Sequence, residues 1–137
     1  MINKDQLPMD AVSPNKSQRA FLARLMQATR EYARSKHYND MSFQGQEVQP
    51  YFGAYSTKVI HRGAGDYIFG FEKRRRKLRM AIPIDVAEPY RLARSWTGDP
   101  TRNRAVIEVG ENPDEEMQLY LIEIGKRSID CYYTKKK

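Results

Sequence analysis

The residues best suited to chemistry in this chain form the run Lys73-Arg74-Arg75-Arg76-Lys77-Leu78-Arg79, and the chemistry is anion binding. Five adjacent cations repel one another, and that repulsion falls when a phosphate backbone approaches and releases its counterions. Arginine dominates the run, and its planar guanidinium bonds phosphate oxygens in pairs or stacks on bases. Arg91, Arg94, Arg102 and Arg104 would extend the track, with Arg62 and the terminal Lys135-Lys136-Lys137 as further cations. Arg91 and Arg94 stand three apart beside Trp96, which together with Tyr51 and Phe52 supplies the rings best placed to stack on a base. Plainer readings stand beside these. The run also suits a solvated loop that keeps a sheet edge unpaired, and a lone tryptophan commonly caps a core. A nuclear-localisation-like signal is a third reading of the run, disfavoured because such signals are flexible and this one sits between two strand patterns.

Catalytic constellations are poorly supported. Gly63-Ala64-Gly65 is followed by a strand pattern rather than a helix, so it reads as a turn and not as a dinucleotide loop. A metal-dependent nuclease would draw on Asp66, Glu72, Asp85 and Glu108, whose spacing matches no metal-binding signature, and a metal-independent one on His61 and Glu108 with an arginine. A lone strand histidine is ordinarily structural, and His37 reads as a dipole partner at a helix C-terminus. The single Cys131 allows no internal disulfide and reads as a small buried apolar residue of a strand. No metal and no cofactor is implied.

The overall balance agrees with an anionic partner. The chain has 24 Lys plus Arg against 17 Asp plus Glu, a net charge of +7. The signs are unevenly distributed along it: residues 1–104 hold 19 basic and 10 acidic groups, and the remainder 5 and 7. Glu108, Glu111, Asp114, Glu115 and Glu116 fall where there is no Lys or Arg, so they form the candidate surface for a protein partner. Docking by oppositely charged faces, including self-association into a homo-oligomer, is the rival to nucleic-acid binding.

These side chains need a scaffold, and the apolar pattern supplies one. Ser13-Pro14 is a helix-start signal, and Phe21, Leu25, Ala28 and Tyr32 recur at helical spacing, predicting a helix over 14–37. Residues 41–54 read as an irregular connection with at most one short edge strand. Alternation then predicts strands over 55–62, 67–72 and 78–84, with Tyr67, Phe69 and Phe71 on one face and the cation run at a hairpin tip. Glu88-Pro89 opens a short helix over 90–96 that Gly98-Asp99-Pro100 ends. Strands are expected over 104–109, 117–124 and 128–134, the last two joined by a turn at Gly125-Lys126-Arg127. The segment 117–124 also fits a helical face behind the cap Asn112-Pro113-Asp114-Glu115-Glu116, but its hairpin spacing favours strand.

The expected architecture is α+β: a long N-terminal helix on a mostly antiparallel sheet of about five to six strands, with one short helix between two meanders. A single domain spans 13–134, between an N-terminal tail, 1–12, and a basic C-terminal tail, 135–137. No stretch has the ~20 apolar residues of a membrane span, and the N-terminus lacks a secretory pattern. The expectation is an intracellular protein, cytoplasmic or nucleoid-associated, that binds DNA or RNA through phosphate contacts without catalysing a reaction.

Overall fold

The computed structural model describes residues 14–49, 54–74, 77–87, 96–99 and 103–135. Helix α1 (Lys16–Ser35) is followed by strands β1 (Met41–Gln49), β2 (Ala54–His61), β3 (Tyr67–Arg74) and β4 (Lys77–Pro83). The short helix α2 (Ile84–Ala87), strands β5 (Thr97–Asp99) and β6 (Arg104–Glu108), and the long helix α3 (Glu115–Lys135) complete the order. The strands form one six-stranded sheet in the order β1-β2-β3-β4-β6-β5, with every neighbouring pair antiparallel. The α+β class, the long N-terminal helix and the antiparallel sheet are as the sequence implies. The second meander is not: its last two strands are a single helix.

Helix α1 begins two residues later than the Ser-Pro signal suggests. Asn15 Oδ1 accepts from the Gln18 backbone N–H at 2.7 Å while the Gln18 side chain accepts from the Asn15 N–H at 3.0 Å, a reciprocal capping box. Ser13 lies outside the described residues. At the other end His37 adopts φ 63°, which lets the Tyr38 N–H reach the Ala33 carbonyl at 2.9 Å and its own N–H reach Arg34 at 3.1 Å. His37 therefore closes the helix through its backbone in a left-handed C-terminal cap.

Helix α3 is capped by Asp114, whose Oδ1 accepts from the Met117 N–H at 2.8 Å. Its buried positions, Leu121, Ile122, Ile124, Gly125, Ser128 and Ile129, recur at helical steps. Leu119, which strand alternation would bury with Leu121, is 51 % exposed. Gly125 marks a close helix crossing instead of a turn: a Cβ there would lie 3.0 Å from Thr29 of α1 and 3.6 Å from the Phe69 ring. Cys131 is a half-buried helical residue, not a strand residue. The contacts Arg24–Glu115, Thr29–Gly125 and Tyr32–Asp130 climb both chains together, so the two helices run parallel across one face of the sheet.

That face carries the core. Val59, Phe69, Phe71, Leu78, Met80, Ile82, Ala105 and Ile107 point into it and meet Phe21, Leu22 and Leu25 of α1 and Leu121, Ile124 and Ile129 of α3. Phe21 and Phe71 pack edge to face at 5.8 Å. Tyr67 is not on this face with Phe69 and Phe71. The β2–β3 register shifts between Val59 and Ile60, where one extra β3 residue is accommodated, and Tyr67 turns to the opposite side. Its hydroxyl lies 2.8 Å from where a Gly70 Cβ would stand and donates to the Ala81 carbonyl at 2.9 Å.

Two connections differ from expectation. Residues 41–49 form a nine-residue edge strand, with an irregularity between Gln44 and Glu47 that absorbs Gly45. Gly98-Asp99 belongs to β5; residues 90–95, most of the expected short helix, lie outside the described residues.

Candidate nucleic-acid interface

The cation run occupies the β3–β4 hairpin, with Arg74 and Lys77 as cross-strand partners. The strands of this hairpin are the centre of the sheet. Gln49, Ala54, Arg74 and Lys77 end their strands in adjoining register, so the 50–53 and 75–76 connections leave the sheet from the same end. Tyr51, Phe52, Arg75 and Arg76 themselves lie outside the described residues, as do Arg91, Arg94 and Arg102.

The cations of the run have different surroundings. Lys73 sits on the helix-covered face, 5 % exposed, under the loop that carries Glu111. Burial pulls its ammonium below the ordinary lysine range, against the opposing influence of the Glu111 carboxylate. Lys77 and Arg79 lie on the other face, Lys77 exposed and Arg79 partly so. Arg79 stands 3.7 Å from Glu72, and Arg104 donates to the same carboxylate at 2.7 Å. The Arg104 and Glu72 side chains are only 15 % and 18 % exposed, beside the buried Tyr67 phenol, whose titration burial pushes upward. Arg104 is thereby a structural cation of the sheet. Lys58, the cross-strand neighbour of Gly70, is an exposed cation on this face that the sequence reading passed over.

At the sheet margin, beyond the start of β5, a cleft of about 470 Å³ is lined by Lys77, Arg79, Thr97, Val106, Ile107, Glu108 and Met117. It brings two of the expected cations against Glu108, the cross-strand partner of Arg79. Trp96 packs against the core and donates its indole N–H to the Tyr120 hydroxyl at 2.9 Å, which ties it to α3.

Three of the acidic residues have partners within the fold. Glu115 accepts two hydrogen bonds from Arg24, at 2.5 and 3.1 Å, which holds its carboxyl below the ordinary range. Glu111 faces Lys73 electrostatically, and its carbonyl accepts from the Asn15 side chain at 2.8 Å. Asp114 caps α3, while Glu116 is exposed on its first turn. Among the described residues, charges far apart along the chain thus meet in space at Arg24–Glu115 and Lys73–Glu111.

His61 is fully engaged. Its Nε2 lies 2.8 Å from Asp40, and its Nδ1 accepts from the Ala64 N–H at 2.9 Å. It is three strands from β6, which alone is roughly 14 Å at ~4.8 Å per strand, and Glu108 aligns through Arg79 and Glu72 with Ser56, five residues along β2 from His61, so the two do not form the acid–base pair considered above. Among the described residues, no three His, Cys, Asp or Glu side chains are grouped to hold a metal ion. No described helix is long and apolar enough to cross a membrane.

No family model, curated protein or solved structure matches this chain.

Proposed function

We propose that this protein binds nucleic acid through the tip of the β3–β4 hairpin, chiefly by phosphate contacts and without catalysing a reaction. The observation that carries the reading is the Arg74–Lys77 register, which makes the cation run the connection from β3 to β4, with Lys77 exposed. Glu72, the carboxylate nearest in sequence, is occupied by Arg104 and Arg79 farther down the sheet. The neighbouring connection, with Tyr51 and Phe52, starts and ends at the same sheet end, which would allow base stacking beside phosphate contact. Lys73 and Arg104 are placed as supports and are not part of the proposed contact set. The rival reading, docking of a protein through Glu108, Glu111, Asp114, Glu115 and Glu116, has less support, because Glu115 and Asp114 are engaged internally.

The test is a titration against double-stranded DNA, single-stranded DNA and RNA at two salt concentrations. Replacing Arg74, Arg75 and Arg76 by alanine is expected to weaken binding at least about tenfold and to reduce the salt slope by roughly 2–3. An affinity and slope equal to the unaltered protein's would overturn the proposal.

A further inference from the structure

The cations of α1 differ from those of the sheet. The helix carries Lys16, Arg19, Arg24, Arg30 and Arg34 and a single carboxylate, Glu31. Among the described residues, only Arg24 of these is neutralised by an ion pair, with Glu115. At 100° per residue, Lys16, Ala23, Gln27 and Arg34 fall on one line along the outward side, with Arg19 and Arg30 on one flank and Ala20 and Glu31 on the other. All eight are exposed, and they are opposite the buried Leu22, Leu25 and Thr29.

This arrangement works against the helix that bears it. Lys16 and Arg19 lie in and beside the first turn, which holds no acidic residue, where the positive end of the helix dipole opposes them. Arg30 and Arg34 are a like-charged pair at i, i+4, which costs a few tenths of a kcal/mol. Arg30 lies over the Phe43 ring at 5.0 Å, which holds its guanidinium on the β1 side of the helix. Two cation pairs therefore stand at the two ends of one face. Arg19 and Arg30 are 11 residues apart, about 16 Å along the axis, and the positions between them on that face are Ala20, Ala23 and Gln27.

We infer that the outward face of α1 is a second nucleic-acid contact, built for the major groove of double-helical DNA. The groove is roughly 12 Å wide and accepts a helix about 10–12 Å across. Lys16 and Arg19 would meet the phosphates of one strand and Arg30 and Arg34 those of the other, while the two alanines permit close approach. Gln27, whose amide donates to Glu31 at 3.3 Å, is the side chain between the pairs that can bond a base edge. The deep, narrow major groove of A-form RNA does not admit a helix, so the surface selects duplex DNA over duplex RNA. The α1 start lies at the end of the sheet that bears the hairpin tip, since Gln18 donates to the Gly110 carbonyl and Val109 to that of Leu78. One duplex could then touch both surfaces. The inference rests on the nucleic-acid reading above but concerns a different surface.

The experiment compares three variants of the full chain on duplex DNA, single-stranded DNA and duplex RNA. The first replaces Lys16, Arg19, Arg30 and Arg34 by glutamine; the second is Ala23→Glu, which keeps every cation and puts a carboxylate at the centre of the face. The third is the hairpin triple alanine. Circular dichroism confirms that each is folded, and Ala23→Glu, at an exposed helical position, serves if the fourfold variant is not. The fourfold variant should lose roughly a hundredfold in duplex DNA affinity and about 3–4 in salt slope. Ala23→Glu should lose at least about tenfold, with single-stranded DNA and duplex RNA affected less by both. If the hairpin variant binds duplex DNA more weakly while folded α1 variants bind as the unaltered protein does, the α1 inference fails and the hairpin reading stands. Loss on α1 substitution alone supports the α1 surface and overturns the hairpin. Absence of binding to any of the three nucleic acids by the unaltered protein overturns both.

Discussion

The sheet and helix α1 both carry arginines, but the two sets are treated differently by the fold. In the sheet, Arg104 and Arg79 converge on Glu72, and Lys73 is buried on the helix-covered face. On α1, Lys16, Arg19, Arg30 and Arg34 make no ion pair among the described residues. Strand register explains much of the difference. Cross-strand neighbours sit within about 5.5 Å, so Glu72 beside Arg79 is a consequence of β3–β4 pairing, and β6 brings Arg104 to the same carboxylate. A helix facing solvent has no opposing strand, and its cations find carboxylates only where a second helix crosses, as at Arg24 and Glu115. Cation density along a sequence is therefore a poor measure of how much charge remains for a partner.

The contrast can be broken experimentally. The largest structural effect is expected at Glu72. Glu72→Ala leaves two arginines without their shared carboxylate and should cost about 2–3 kcal/mol, the buried-pair range reduced for partial exposure. A urea denaturation curve unchanged in midpoint would show that the Arg104 tie contributes little. Next is Tyr133→Phe, which removes the hydroxyl bonded to Asp40 but keeps the ring stacked on Tyr38 at 4.0 Å. A loss of about 1 kcal/mol is expected, read in the same way.

Asp40 extends this to pH. Tyr133 and His61 hold its carboxyl below the ordinary value of 3.8, so the ionised form is favoured by folding. That contribution is complete above the unfolded value and is lost as pH falls through the lower folded value. Stability should therefore decline on the acid side of about pH 4, and Asp40→Asn should flatten that part of the profile; an unaltered acid limb would rule the tie out. The smallest effect is predicted for Lys73→Met, which should change nucleic-acid affinity by less than about twofold and stability by within about 1 kcal/mol. A large loss of affinity with intact folding would move Lys73 from the supporting set to the binding set.

The legible parts of the fold are those where local pattern and tertiary need agree. Phe21, Leu25 and Tyr32 repeat at helical spacing, and α1 follows; Leu78, Met80 and Ile82 alternate, and β4 follows. The β2–β3 turn formed where Gly65 supplies φ +73°. The segment 117–134 misleads because its β-branched and aromatic residues match strand composition while their burial is helical. Asp114 supplies the helix cap, and the sheet face beside α1 gives the second helix a surface to cover. Tyr67 misleads differently: a single irregularity in register turned it to the far face, and alternation cannot register an inserted residue.

For the candidate site, the sequence by itself determined the net charge, the cation run and its position at a hairpin tip, because charge is additive and turn residues act locally. Tertiary structure alone decided which of those cations are available. Lys73 is inward by strand parity, Arg104 is held by a carboxylate 32 residues away, and the acidic segment is folded back against Lys73 and Arg24. The exposed basic line on α1 became distinguishable only when the fold showed which helical cations have partners. The physical reason is one of range. Propensity and charge belong to residues near in sequence, whereas pairing and desolvation depend on groups brought together from distant parts of the chain.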